Sequence, residues 1–132
     1  MNVSNPTKAL ALDLVAYIVL DVLLTPVAGL ETRPPTHLTG IGIALLVVYG
    51  VGFLLAILSL FLLFRGSQRA PLVAIVAAAL LLPAVIADQT GYLSTLRPPI
   101  AIAWIEVAGA FTAVFAIGFA LWVLQQQAAR NP

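Results

Sequence analysis

Residues 100–124 form one continuous apolar stretch with a single charged group, Glu106, inside it. About 25 residues suffice to cross a bilayer with some tilt. Gly109, Ala113, Ala116 and Ala120 follow Glu106 at steps of three and four, so all five share one stripe of a helix. Small residues let another helix come close, and a carboxyl on the same stripe points at protein rather than lipid. Few folds satisfy that pattern: it asks for a helix that buries its small side and shows its bulky side to hydrocarbon.

Three more apolar stretches precede it, over residues 9–30, 41–64 and 71–93, with short polar connectors between them. The spacing predicts an all-α fold, an integral membrane four-helix bundle running up-down-up-down as one domain over residues 1–132. A hydrophobic share of 62% against 8% charged is too apolar for a soluble domain of this size. A cleaved signal peptide is the alternative for the first stretch. That run is too long for an h-region, holds two acids and has no A-x-A site after it, so a retained span is expected.

Pro26 after Thr25 is expected to bend the last turns of the first span. Residues 31–39 form the most polar loop, where Pro34 and Pro35 stop one helix and Thr36 or Thr39 caps the next. In the second span Tyr49, Gly52, Ala56 and Ser59 make a small, weakly polar face. Arg65, Gly66, Ser67, Gln68 and Arg69 make a tight connector, and Pro71 suits the first turn of the third span. That span carries Ala74, Ala77, Ala84, Asp88 and Gly91 on one stripe, with Pro83 inside it as a bend. Residues 125–132 read as a fraying polar tail.

Four spans place both termini on one side. Lys8, Arg65, Arg69 and Arg130 fall there, and Arg33 and Arg97 fall opposite, which favours cytoplasmic termini in a multi-pass protein of the cell membrane. Dual topology is the alternative to that weak bias. Arg33-Pro34-Pro35 and Arg97-Pro98-Pro99 each close the outer turn of a two-helix hairpin, a hint of two repeated helical hairpins.

Composition also excludes several functions. With no cysteine there are no disulfides, thiolate metal sites or thiol nucleophiles. A net charge of +1, with scattered basic residues, gives no footprint for nucleic acid and no polybasic segment for an anionic membrane surface. Phosphate-binding glycine loops and paired-His zinc motifs are absent. One histidine, His37, rules out paired-His haem ligation within a chain. No cofactor and no metal site is expected.

Asp13, Asp21, Asp88 and Glu106 fall within the expected spans. An ionised acid near mid-bilayer costs about 2.5–3.5 kcal/mol on the mildest scale, so each needs a partner, water or a proton. Asp13, Tyr17 and Asp21 are four apart and share a helix face. Asp21 lies roughly 14 Å, and Glu106 roughly 10 Å, below the outer helix ends at a 1.5 Å rise per residue. They meet at similar depth if the first and fourth helices pack together, with Tyr49 in reach of either. No lysine or arginine sits at that level, so at least one of the pair is expected to be protonated. The pair reads either as interhelical glue, bonded to a carbonyl or Tyr17, or as a proton, ion or ligand site. Asp13 reads as a solvated end residue near the inner interface.

The outer loops gather Glu31, Arg33, His37, Asp88, Gln89 and Arg97. These read as hydrated loop charges, with Asp88 paired to Arg97 or Arg33, or as an anion or headgroup site. Trp104, Trp122 and Tyr92 lie near span ends, where amphipathic rings anchor.

The layout is similar to that of small four-span transporters, which also carry one membrane-embedded acid and small-residue packing stripes. That similarity implies a proton- or cation-coupled transport or channel protein acting as a homo-oligomer among membrane lipids. The alternatives are a non-catalytic accessory or scaffolding subunit of a larger membrane complex, or a lipid-binding membrane protein. An enzyme is disfavoured because no nucleophile and base come together.

Overall fold

The computed structural model describes residues 5–24 and 34–130. Four helices account for most of them: α1 (Asn5–Leu24), α2 (Gly40–Phe64), α3 (Ala70–Thr90) and α4 (Ile100–Arg130), with a 3-10 turn at Pro35–His37 before α2. The fold is an all-α four-helix bundle. Each helix is antiparallel to the next, as the α2–α3 pairings show: Gly42 lies against Leu93, Gly52 against Ala77 and Leu81, and Ser59 against Ala70. The α2–α3 interface is the most extensive, followed by α1–α4 and α3–α4, and α1–α2 is thinner than these.

Local chemistry sets the helix ends. Thr39 caps α2, its Oγ1 accepting from the Gly42 N–H at 2.8 Å. Pro71 stands in the first turn of α3, where a missing N–H costs nothing. The expected third span reached residue 93, but α3 stops at Thr90 because Gly91 takes a left-handed conformation (φ 83°). The Tyr92 and Leu93 N–H groups then turn back to the Ala87 carbonyl. α3 runs unbroken through Pro83. The tail expected to fray is instead helical to Arg130, since the Gln, Ala and Arg of that stretch are good helix formers. The bend expected at Thr25 and Pro26 lies outside the described residues.

The bundle is small inside and bulky outside. Its core is lined by Ala56, Ala70, Ala74, Ala77, Ala113, Ala116 and Ala120, with Ser59, Leu10 and Leu14 among them. Leu12, Ile41, Leu54, Phe64, Ile100 and Trp104 stand more than 60% exposed. Water-soluble domains rarely show so much contiguous apolar surface. By length and composition α2, α3 and α4 are apolar enough to cross a membrane. α1 falls outside that set: its 20 described residues carry Lys8, Asp13 and Asp21.

Candidate functional site

The stripe on α4 is buried as its spacing predicts, with Glu106 at its loop-proximal end. Asp21 is buried near the end of α1. Because α1 and α4 pack antiparallel, the two acids line one crevice of about 10 Å³, room for about one water. Tyr49 of α2 and Val85 of α3 complete its walls, so all four helices contribute. Among the described residues that line it, none is basic.

Each acid is held by neutral donors. The Tyr17 hydroxyl, one turn back on α1, donates to Asp21 Oδ2 at 2.8 Å, and the Tyr49 hydroxyl donates to Asp21 Oδ1 from across the α1–α2 interface. Glu106 Oε2 accepts from the Gln89 side-chain amide at 2.6 Å. Tyr17, Tyr49, Asp21 and Glu106 are therefore brought together, as the helical spacing suggested.

Above the crevice, toward the loops, lies a larger cavity of about 130 Å³. Tyr49 and Glu106 line both spaces, so the cavity leads down to the crevice. Asp88 is on its wall and only 4% exposed. This corrects the placement of Asp88 among hydrated outer-loop charges: the left-handed cap at Gly91 ends α3 just beyond it and keeps its side chain inside the bundle. Leu24, Leu46, Val85 and Leu93 supply the apolar part of the wall.

The two outer loops form the roof. Leu38 and Ser94 make an isolated antiparallel bridge; the Thr39 N–H donates to the Leu93 carbonyl at 3.0 Å, and the Thr95 N–H to the His37 carbonyl at 2.9 Å. The Thr39 hydroxyl donates to the Tyr92 carbonyl at 2.7 Å, and the His37 ring contacts Thr95 Oγ1 at 3.1 Å. The polar cluster expected in these loops is thus divided. Asp88 is interior, Gln89 is exposed at the end of α3 while its amide reaches Glu106, His37 belongs to the roof, and Arg97 is exposed. Glu31 and Arg33 lie outside the described residues.

Asp13 is separate. It is half-buried on α1, and its Oδ2 is enclosed with no hydrogen-bond partner among the described residues, unlike a solvated end residue. Below Tyr17 the bundle closes on Leu14, Ala56, Ala74, Ala77, Ala113 and Ala116, with only about 10 Å³ of space between them. The site therefore adjoins a larger cavity toward the loops and close packing toward the other end.

Spacing alone missed two parts of the site. Gln89, exposed one turn beyond Val85, reaches Glu106 with its amide, which no spacing rule shows. The apolar wall gave no signal, because leucines and valines occur on every face of these helices. Comparison with family models, with characterised proteins and with solved structures finds no match for this chain.

Proposed function

We propose that the chain is a multi-pass protein of the cell membrane that works as a homo-oligomer in proton- or cation-coupled transport, with Asp21 and Glu106 as the coupling groups. Its four helices span the bilayer, with both termini on the cytoplasmic side. The observation that carries this reading is the polar crevice that Asp21 and Glu106 share at the meeting of all four helices. Ionisable residues inside a membrane bundle mark ion and proton pathways by default.

In this reading a proton or cation arrives from the roof end, passes Asp88 and meets Glu106 first, then Asp21. Gln89 orients the Glu106 carboxyl; Tyr17 and Tyr49 orient Asp21. The alanine-lined lower half is the closed gate, and release on the far side requires α1 and α4 to part there, as alternating access demands. Four helices alone barely enclose a path, which is why the working unit is an oligomer.

Reconstituted liposomes with an internal pH dye test it. Glu106→Gln is expected to cut proton-coupled flux at least tenfold while the circular dichroism of the bundle stays unchanged. Flux equal to that of the parent protein would remove the proposal.

One observation favours a second reading, an accessory subunit of a larger membrane complex. Both oxygens of Asp21 already accept a tyrosine hydroxyl, as interhelical glue requires. A variant Asp21→Leu that loses stability but keeps full flux would decide for that alternative.

A further inference from the structure

We propose that the α2–α3 connector, residues 65–69, binds an anionic phospholipid, its phosphate held by Arg65 and Arg69 and its acyl chains laid along Phe61, Phe64 and Leu72. This site depends on the membrane placement proposed above and is independent of coupled transport. The charges of the bundle are sorted by end. Because successive helices are antiparallel, the start of α1, the end of α2 and the start of α3 share one end, where Lys8, Arg65 and Arg69 stand exposed. Asp21, Asp88 and Glu106 lie in the other half, on the walls of the crevice and the cavity. Asp13 is half-buried on α1 with its Oδ2 enclosed. Residues 1–4 and 131–132, which precede α1 and follow α4, include no Asp or Glu, and Glu31 follows the opposite end of α1 in the chain. An anion from outside the chain suits such an end, and in the proposed placement that end faces the cytoplasmic leaflet, where anionic lipids gather.

The connector also prepares its cations. Gly66 takes a left-handed conformation (φ 69°) and the Ser67 N–H returns to the Leu62 carbonyl at 2.9 Å, so the two arginines flank one tight turn. The Arg65 guanidinium lies over the Phe61 ring, 4.5 Å from its centre. That attraction is to the face of a ring rather than to an oxygen, so it restrains the side chain without engaging an acceptor. Among the described residues, neither guanidinium donates to an oxygen. Paired N–H donors in a fixed fork match phosphate oxygens in a way a lysine does not. Beside them Phe61, Phe64 and Leu72 are at least half exposed. Phe64 and Arg65 are consecutive, so the surface passes from apolar to cationic within one residue, as the bilayer passes from hydrocarbon to headgroup. A free phosphate ion would use the arginines alone, whereas a phospholipid uses both parts. Two arginines are too few for a polybasic segment; they suit one phosphate at short range.

Native mass spectrometry of the full chain released from detergent, titrated with phosphatidylglycerol or with phosphatidylcholine of the same acyl chains, reads this directly. Phosphatidylglycerol is expected to bind more tightly than phosphatidylcholine, and Arg65→Gln and Arg69→Gln should each weaken it about fivefold, the worth of one interfacial arginine. Arg65→Lys keeps the charge but loses the fork, so it should recover only part of that loss. Phe61→Leu, which removes the ring beneath Arg65, should also weaken binding. Arg97→Gln, exposed in the α3–α4 loop at the opposite end, should leave binding unchanged. Equal binding of the two lipids by the parent chain, or a loss at Arg97 as large as at Arg65, overturns the site. Glycerol 3-phosphate that displaces phosphatidylglycerol at equal concentration overturns the lipid as its occupant. A chain that stays monodisperse without detergent overturns the membrane placement itself. A chain that needs detergent yet shows no preference between the lipids overturns this site alone.

Discussion

The two halves of this bundle solve the same packing problem in opposite ways. In the half away from the loops, alanines and Ser59 bring the helices so close that little space remains between them. In the loop-proximal half the same four helices carry Leu24, Tyr49, Val85 and Glu106, and these larger groups line a cavity. Close approach is stable where the contacts are small and neutral. Carboxyls need donors or water, and three of the four acids on the described helices, Asp21, Asp88 and Glu106, lie in this looser half. Stability and chemistry are thus assigned to different ends of the same rods.

The sharpest way to break that contrast is to enlarge the dry half. A Cβ on Gly52 would lie 2.9 Å from Leu81 Cγ and 3.0 Å from the Ala77 carbonyl oxygen, and the latter is backbone that cannot swing aside. Gly52→Leu is therefore expected to force α2 from α3 at a cost of about 3 kcal/mol or more. The same change at Gly118, exposed on α4 with nothing within 4 Å of its Cβ position, should be tolerated. Unfolding curves for the two variants in one detergent make the comparison. Equal stability would mean that the dry seam does not hold the helices together.

A smaller effect is expected within the site half. Tyr49→Phe and Asp21→Leu each remove one side of the contact between α1 and α2, an interface thinner than α2–α3, α1–α4 or α3–α4. A double-mutant cycle on unfolding should give a coupling of about 1 kcal/mol, within the range of hydrogen bonds between membrane helices. Zero coupling would make the contact incidental and leave Asp21 with Tyr17 alone as its structural partner.

The same contrast explains what the sequence made legible. All five positions of the α4 stripe are buried, and Tyr49 does reach Asp21, because helical period fixes which side of a rod turns inward. Period does not fix how a rod rotates against a particular neighbour. The contact of Gln89, exposed at the loop end of α3, with Glu106 is therefore not legible from spacing. Asp13 reads as a solvated end residue, yet its Oδ2 is enclosed. The roof was equally hidden: Thr39 could be seen as a cap, but its bonds to Tyr92 and Leu93 join loops more than fifty residues apart. Gly91 illustrates the converse. It fits the inward stripe of α3, yet it serves as a left-handed cap, since glycine satisfies both patterns and only the following turn separates them.

The smallest expected effect is at Ser59. It is fully buried, and its hydroxyl donates to the Ala70 carbonyl at 2.8 Å, the one side-chain hydrogen bond described between the close-packed stretches of α2 and α3. Removing a buried partner is costly when the other group is left unsatisfied. Here the acceptor is a carbonyl in the first turn of α3, which has two lone pairs and can direct one of them along its own helix. Ser59→Ala keeps nearly the same volume, leaves no buried donor stranded and preserves the close approach. A loss of only about 0.6 kcal/mol is therefore expected, the average for such bonds in membrane bundles. Chemical unfolding resolves it when several variants are run together. A loss above about 2 kcal/mol, beyond the upper end for single interhelical bonds, would show that the dry half depends on directional bonding as the site half does, and the division of labour between the two ends would collapse.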